Sequence, residues 1–178
     1  MANPFYVELG FTGVEIASIS KVFGVIMTLA GTAAGGLMVA RYGLFRALVA
    51  GGILQAAANL LYAVLAGFGP DIAWLAVTIG ADNFAGGIGS AAFVAYLSSL
   101  CNVAFTGTQY ALLTSFMAAG RTMLSSGAGW LATLLGWPAF FVATTFLAVP
   151  GLVLLVWLAR LYPAGAAPSR PGASAPAA

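Results

Sequence analysis

Charged residues punctuate this chain so sparsely that their absence defines the elements. Residues 22–40, 47–70, 83–120 and 122–159 contain no Asp, Glu, Lys or Arg. A helix needs about 20 apolar residues, at 1.5 Å rise each, to cross a hydrocarbon core of about 30 Å. Each interval can hold most of a span or more. Dividing the longest at their turn-like breaks predicts five helices, approximately 18–40, 46–67, 73–99, 110–135 and 139–161. The breaks are Arg41-Tyr42-Gly43, Gly67-Phe68-Gly69-Pro70-Asp71, the stretch from Asn102 to Gln109, and Gly136-Trp137-Pro138. The predicted fold class is all-α integral membrane, with residues 15–161 as the transmembrane helical domain.

The ends read differently. Residues 1–14 begin apolar and aromatic but are too short to cross a bilayer and lack the basic region of a signal peptide. They are expected to be the end of a truncated helix followed by an outer loop. Residues 162–178, which after Tyr162 are built from Ala, Pro, Gly and Ser with one Arg, are expected to form a disordered cytoplasmic tail.

Composition narrows the chemistry. Hydrophobic residues make up 62% of the chain and charged residues 6%, too few to cover a water-facing surface, since soluble domains carry about 25%. His is absent, which removes the commonest general base and metal ligand together with every Ser-His or Cys-His arrangement. A lone Cys, Cys101, supports neither an intrachain disulfide nor a thiolate cluster. No metal, no cofactor and no enzymatic activity are expected. A net charge of +2 resting on ten ionisable groups gives no footprint for nucleic acid. What remains is a multi-span protein that moves, binds or scaffolds something.

Lys and Arg set the orientation. With the N-terminus outside, the inner segments hold Arg41, Arg46, Arg160 and Arg170 and the outer ones hold no basic residue, only Glu8, Glu15 and Asp71. Positive residues accumulate on the cytoplasmic side, so the expected topology is N-out and C-in.

Three charges stay within spans: Lys21, Asp82 and Arg121. Asp82 falls about 15 Å from the outer end of its predicted helix, and Arg121 about 16 Å from the inner end of the next. A charge at mid-depth faces a cavity or an opposite charge, so the two are candidates for an ion pair or a shared cavity. Asp82 reads equally as a proton-titrating carboxylate or as half of a permanent structural pair. Arg121 reads as its partner or as the ligand of an anionic substrate. Lys21 lies about one turn below the surface and can snorkel, a lesser candidate for the substrate path.

Neutral polar groups extend the list. Gln55 and Asn59 are four apart and share a helix face, either lining a substrate path or hydrogen-bonding between helices. Asn83, about 100° around from Asp82, can do either. Small residues spaced as Gly31 and Gly35 let helices approach closely. The cluster Gly86, Gly87 and Gly89 follows Asp82 and marks a candidate bend beside the buried carboxyl.

The segment Gly36-Leu-Met-Val-Ala40-Arg41-Tyr42-Gly43-Leu44-Phe45-Arg46 resembles the signature loop of the major facilitator superfamily: a glycine, three residues, an acid, then Arg-x-Gly and further basic residues. Gly36, Arg41, Gly43 and Arg46 match, while Ala40 stands where the acid would be. A more specific resemblance runs to about Leu161. It is carried by Asn3-Pro-Phe-Tyr, Ser20-Lys21-Val-Phe-Gly24 and Leu54-Gln55-Ala through Asn59-Leu60. It continues in Asp82-Asn83-Phe-Ala-Gly86-Gly87-Ile-Gly89, Thr106-Gly-Thr108-Gln109-Tyr110, Gly120-Arg121, Gly136-Trp137-Pro138 and Val149-Pro150-Gly151-Leu152. In this the chain is similar to the muropeptide permease (AmpG) family of that superfamily.

The resemblance implies a secondary active transporter that imports anhydromuropeptides with protons across the bacterial inner membrane. It also implies that the five helices are most of one six-helix half, the C-terminal one. The missing N-terminal half would then be a partner, together with protons, a muropeptide-like small molecule and the lipid bilayer, and the fragment would be inactive alone. A facilitator for another solute, and a non-transporting scaffold or partner subunit, are the alternatives.

Overall fold

In a computed structural model, the backbone of residues 2–100 and 106–161 is described, and every regular element in it is helical. The expected tail at 162–178, with Arg170, and residues 101–105 of the third break lie outside the described residues.

A short helix α1 (Ala2–Glu8) is followed by α2 (Gly13–Ser18), a π-helical turn (Ile19–Phe23) and α3 (Gly24–Tyr42). The last three run on without interruption as one apolar helix from Gly13 to Tyr42. Its start is fixed by a capping box. Thr12 accepts from the Glu15 amide, and Glu15 accepts in turn from the Thr12 amide at 2.9 Å, so two amides that a helix start leaves unpaired are satisfied. Helix α4 (Leu44–Phe68) follows after Gly43 alone, and α5 (Ile72–Leu100) after a short turn. Then come α6 (Thr106–Ser126), α7 (Ala128–Leu135) and α8 (Trp137–Leu161).

Glycine in the left-handed region makes the sharp corners. Gly43 has φ 87° and Gly136 φ 74°, conformations that cost a side chain about 1–2 kcal/mol. The expected inner loop is therefore a one-residue turn, with Gly36 and Arg41 still inside α3 and Arg46 already inside α4.

By length and apolar composition, the helices Gly13–Tyr42, Leu44–Phe68 and Trp137–Leu161 can each cross a membrane. Helix α5 sits between α3 and α4, and α8 lies along α4. Small residues set this closeness. A Cβ on Gly31 would collide with the Phe84 carbonyl, one on Gly35 with the Ile88 backbone, and one on Gly87 with Thr28 and Thr32. Gly51 of α4 meets Gly89 of α5 in the same way. Between apolar helices in lipid, such close approach supplies the dispersion contact that water exclusion cannot. Gly87 thus has a packing role, whereas a Cβ on Gly89 would meet nothing within 4 Å, and the glycine cluster leaves α5 helical without a break from Ile72 to Leu100.

One end of the bundle is closed by aromatic rings. Phe5, fully buried, lies within 5–6 Å, centroid to centroid, of Trp137 and Phe141, and Tyr62 stacks on Phe141 at 5.0 Å. Trp137 donates to Glu8 at 2.5 Å, tying α1 to the start of α8.

Candidate functional site

Directly beneath the aromatic plug lies a polar cluster built on α4 and α5. Gln55, Asn59 and Tyr62 recur at spacings of four and three, so all three project from one side of α4. Asp82 stands ten residues into α5, about 15 Å along its axis. Gln55 Nε2 donates to Asp82 Oδ1 at 2.6 Å, and Tyr62 Oη donates to Oδ2 at 3.2 Å. Tyr62 has a single O–H. With that proton directed at Asp82, the 3.0 Å contact between the Tyr6 and Tyr62 hydroxyls must have Tyr6 as donor. The result is an ordered chain from Tyr6 through Tyr62 to the carboxylate. If Asp82 takes up a proton it becomes a donor, and the whole chain can reverse.

Two further groups of bonds hold the helices around this cluster. Asn59 Nδ2 donates to Thr144 Oγ1 at 2.8 Å, Thr145 Oγ1 at 3.1 Å and the Phe141 carbonyl at 3.3 Å, all on α8. Asn83 Nδ2 donates to the Ile79 carbonyl within α5 at 2.8 Å, while its Oδ1 accepts from Thr28 Oγ1 of α3 at 3.0 Å. No buried side-chain polar atom among the described residues lacks a partner. Beside the cluster, Gln55, Asn59 and Thr145 line a recess of about 420 Å³ between α4 and α8, with Gly52, Gly151 and Leu155. It offers amide and hydroxyl groups to a polar solute on an otherwise apolar wall.

The sequence-derived candidates separate in this geometry. Asp82 and Gln55 come together, Asn59 serves the α4–α8 contact, and Asn83 serves the α3–α5 contact. Among the described residues Asp82 and Arg121 do not form the expected ion pair, and each carboxylate oxygen accepts from a neutral donor. Arg121 is exposed on α6, on a shallow surface formed by its own helix with Phe116, Met117, Gly120 and Ser125. The physical reason is placement. Among the described residues α6 packs only sparsely on α5, whereas α5 packs closely on α3 and α4, so matching depth does not bring Arg121 to Asp82. Lys21 is exposed within the π-helical turn and, among the described residues, has no ion pair.

Tyr6, Tyr62, Thr28 and the Thr144–Thr145 pair are additions that the charge pattern did not find. Tyr62 had a usable signal, its spacing from Gln55 and Asn59, but a tyrosine in an apolar helix reads as core. Tyr6 had none, because its position depends on how α1 folds back.

Apolar helices around a half-buried, hydrogen-bonded carboxyl define an all-α, multi-pass membrane protein. Over 158 residues the chain is 39% identical to AmpG 4 of Rickettsia felis, covering 89% of this chain and 38% of that protein. It is 38% identical over 148 residues to the anhydromuropeptide permease of Escherichia coli K12, covering 83% of this chain and 30% of the permease. To AmpG 1 of Rickettsia bellii it is 33% identical over 156 residues, 88% of this chain and 38% of the relative. The chain spans about a third of the length of the curated relatives it matches. No protein-family model matches it. On these relatives the chain belongs to the AmpG family of transporters.

Proposed function

We infer that this chain forms one wall of a proton-coupled importer of anhydromuropeptides in the bacterial inner membrane, as the C-terminal half of a major facilitator fold. The observation that carries the mechanistic part is the bonding of Asp82. A carboxyl held by an amide and a phenol, rather than by a cation, can gain and lose a proton without breaking an ion pair. Protonation reverses the Tyr6–Tyr62–Asp82 chain and changes what Gln55 can bind, because its N–H then competes with the carboxyl's own O–H for acceptors. Gln55 also lines the recess beside Asn59, so the proton state of Asp82 is passed to a surface a sugar or peptide amide can touch. The second wall comes from the part of the relatives that this chain does not match, and transport proceeds by rocking of the two walls about the shared site. Asn83, bonded to Thr28, and Arg121 are outside this pathway in the proposed scheme.

The test is a chimera in which this chain replaces the matching stretch of the Escherichia coli permease. Cells carrying it are expected to accumulate a labelled anhydromuropeptide, to lose accumulation when the proton gradient is collapsed, and to lose it at least about ten-fold with Asp82→Asn. Expressed alone, the chain is expected not to accumulate the label. Unchanged accumulation with Asp82→Asn would remove Asp82 from the coupling mechanism. Competition by unrelated solutes but not by muropeptides would favour a facilitator of different specificity.

A further inference from the structure

On the opposite side of α4 from Asp82, the structure carries a second feature that the transport scheme leaves unused. Gly51 faces α5. Val49 and Ile53, two residues to either side, point about 200° away from it. With Ala50, Val156 and Ala159 they wall a recess of about 440 Å³ between α4 and α8, whose mouth is formed by Tyr42, Gly43, Arg46 and Arg160. The recess continues along α8 into another of about 420 Å³ that shares Val49, Ile53, Val156 and Arg160 and adds Val149, Leu152, Val153 and Trp157. We propose that this groove is a binding site for an anionic phospholipid, with the phosphate between Arg46 and Arg160 and an acyl chain along the apolar slot.

Charge supports it. Two guanidinium groups from different helices share one mouth, no Asp or Glu lines it, and neither arginine has an ion pair among the described residues. Arginine stays protonated at any accessible pH and presents a fork that matches phosphate oxygens. The amino end of α4, capped by no side chain, opens at the same mouth through Gly43 and adds its partial positive charge.

Shape distinguishes a lipid from a free anion. From Arg160 back to Val149 is eleven residues of helix, roughly 16 Å. That is about half the thickness of a hydrocarbon core, the depth of one leaflet. A soluble phosphate needs only the mouth, whereas a phospholipid uses the mouth and the leaflet-deep slot below it. Basic recesses between spans are suited to acidic headgroups for this reason. Nothing in this reasoning depends on Asp82 or on transport.

The experiment is native mass spectrometry of the full chain in detergent, titrated with phosphatidylglycerol, with phosphatidylcholine of the same acyl chains, and with inorganic phosphate. Phosphatidylglycerol is expected to be retained at about thirty-fold lower concentration than phosphatidylcholine, the factor for two arginines near a headgroup. Arg46→Gln with Arg160→Gln should erase that preference, while Arg41→Gln should leave most of it. Ile53→Trp keeps both charges but fills the slot at an exposed position, and should release both lipids. Equal retention of the two lipids, a preference that survives the double substitution, or lipid retention unaffected by Ile53→Trp would overturn the proposal. So would inorganic phosphate competing fully at matched concentration, or a second copy of the chain displacing lipid from the groove.

Discussion

Asp82 owes its place in the account to two neutral donors, and Tyr62 is the one whose removal is most informative. Tyr62 is 4% exposed, and its hydroxyl meets both Tyr6 and Asp82. Tyr62→Phe keeps the ring stacked on Phe141 but strands the Tyr6 hydroxyl and one carboxylate oxygen, at a cost of about 1–3 kcal/mol. Tyr6→Phe removes only the outer link and should cost less. The double variant is expected to be less destabilised than the two single effects combined, because it leaves neither phenol seeking the other. Thermal unfolding of the chain and its three variants in one detergent checks this, and strict additivity would show the Tyr6–Tyr62 bond to be energetically idle. Tyr62 was within reach of the sequence, three residues past Asn59 and seven past Gln55. The pairing of Asp82 with Arg121, expected from their matching depth, is not formed among the described residues, because counting residues from a helix end yields depth but says nothing of which way a helix faces or how near its neighbour lies.

Helices meet here through glycine, and the glycines divide into those that touch a neighbour and those that do not. Gly31 and Gly87 lie where a Cβ would strike the backbone of the facing helix, whereas Gly36, in the same α3, has nothing within 4 Å of such an atom. Gly31→Ala should therefore push α3 from α5 and destabilise by about 1–3 kcal/mol. Gly36→Ala should be neutral or stabilising by about 0.5–1 kcal/mol, through helix propensity alone. If the two substitutions shift the unfolding midpoint alike, the packing described for α3 on α5 is wrong. The all-α class was legible from the charge-free intervals, and three of the four breaks carry positive-φ glycines that follow directly from sequence, at Gly43, Gly69 and Gly136. The π-helical turn at Ile19–Phe23 was not legible, since apolar periodicity does not separate five-residue from four-residue hydrogen bonding over so short a stretch. That turn carries Lys21 and adds a residue to the helix repeat, which alters the faces on which sequence arithmetic places the residues before and after it.

For the molecule as a whole, the arginines make a statement about sidedness. Arg46 and Arg160 share one mouth at one end of the bundle, while Glu8 is bonded at the other, next to the start of α8. The positive-inside rule predicts a cytoplasmic arginine end, the topology we propose. A fluorescent protein fused after Ala178 should fold and fluoresce, and alkaline phosphatase fused there should be inactive in a bacterial host; the reverse pattern would invert the proposed topology. The aromatic plug of Phe5, Tyr62, Trp137 and Phe141 then closes the outer end, above the Tyr6–Tyr62–Asp82 chain.

The proposed transport mechanism turns on Asp82 exchanging a proton within its bonded cluster. Infrared difference spectroscopy of the purified chain across an acid-to-neutral titration reads that step without requiring transport. The account predicts a protonated-carboxyl C=O band that appears on acidification, vanishes in Asp82→Asn, and shifts in frequency in Tyr62→Phe and Gln55→Leu as a hydrogen bond is lost. A difference spectrum in which Asp82→Asn leaves every carboxyl band in place would contradict it.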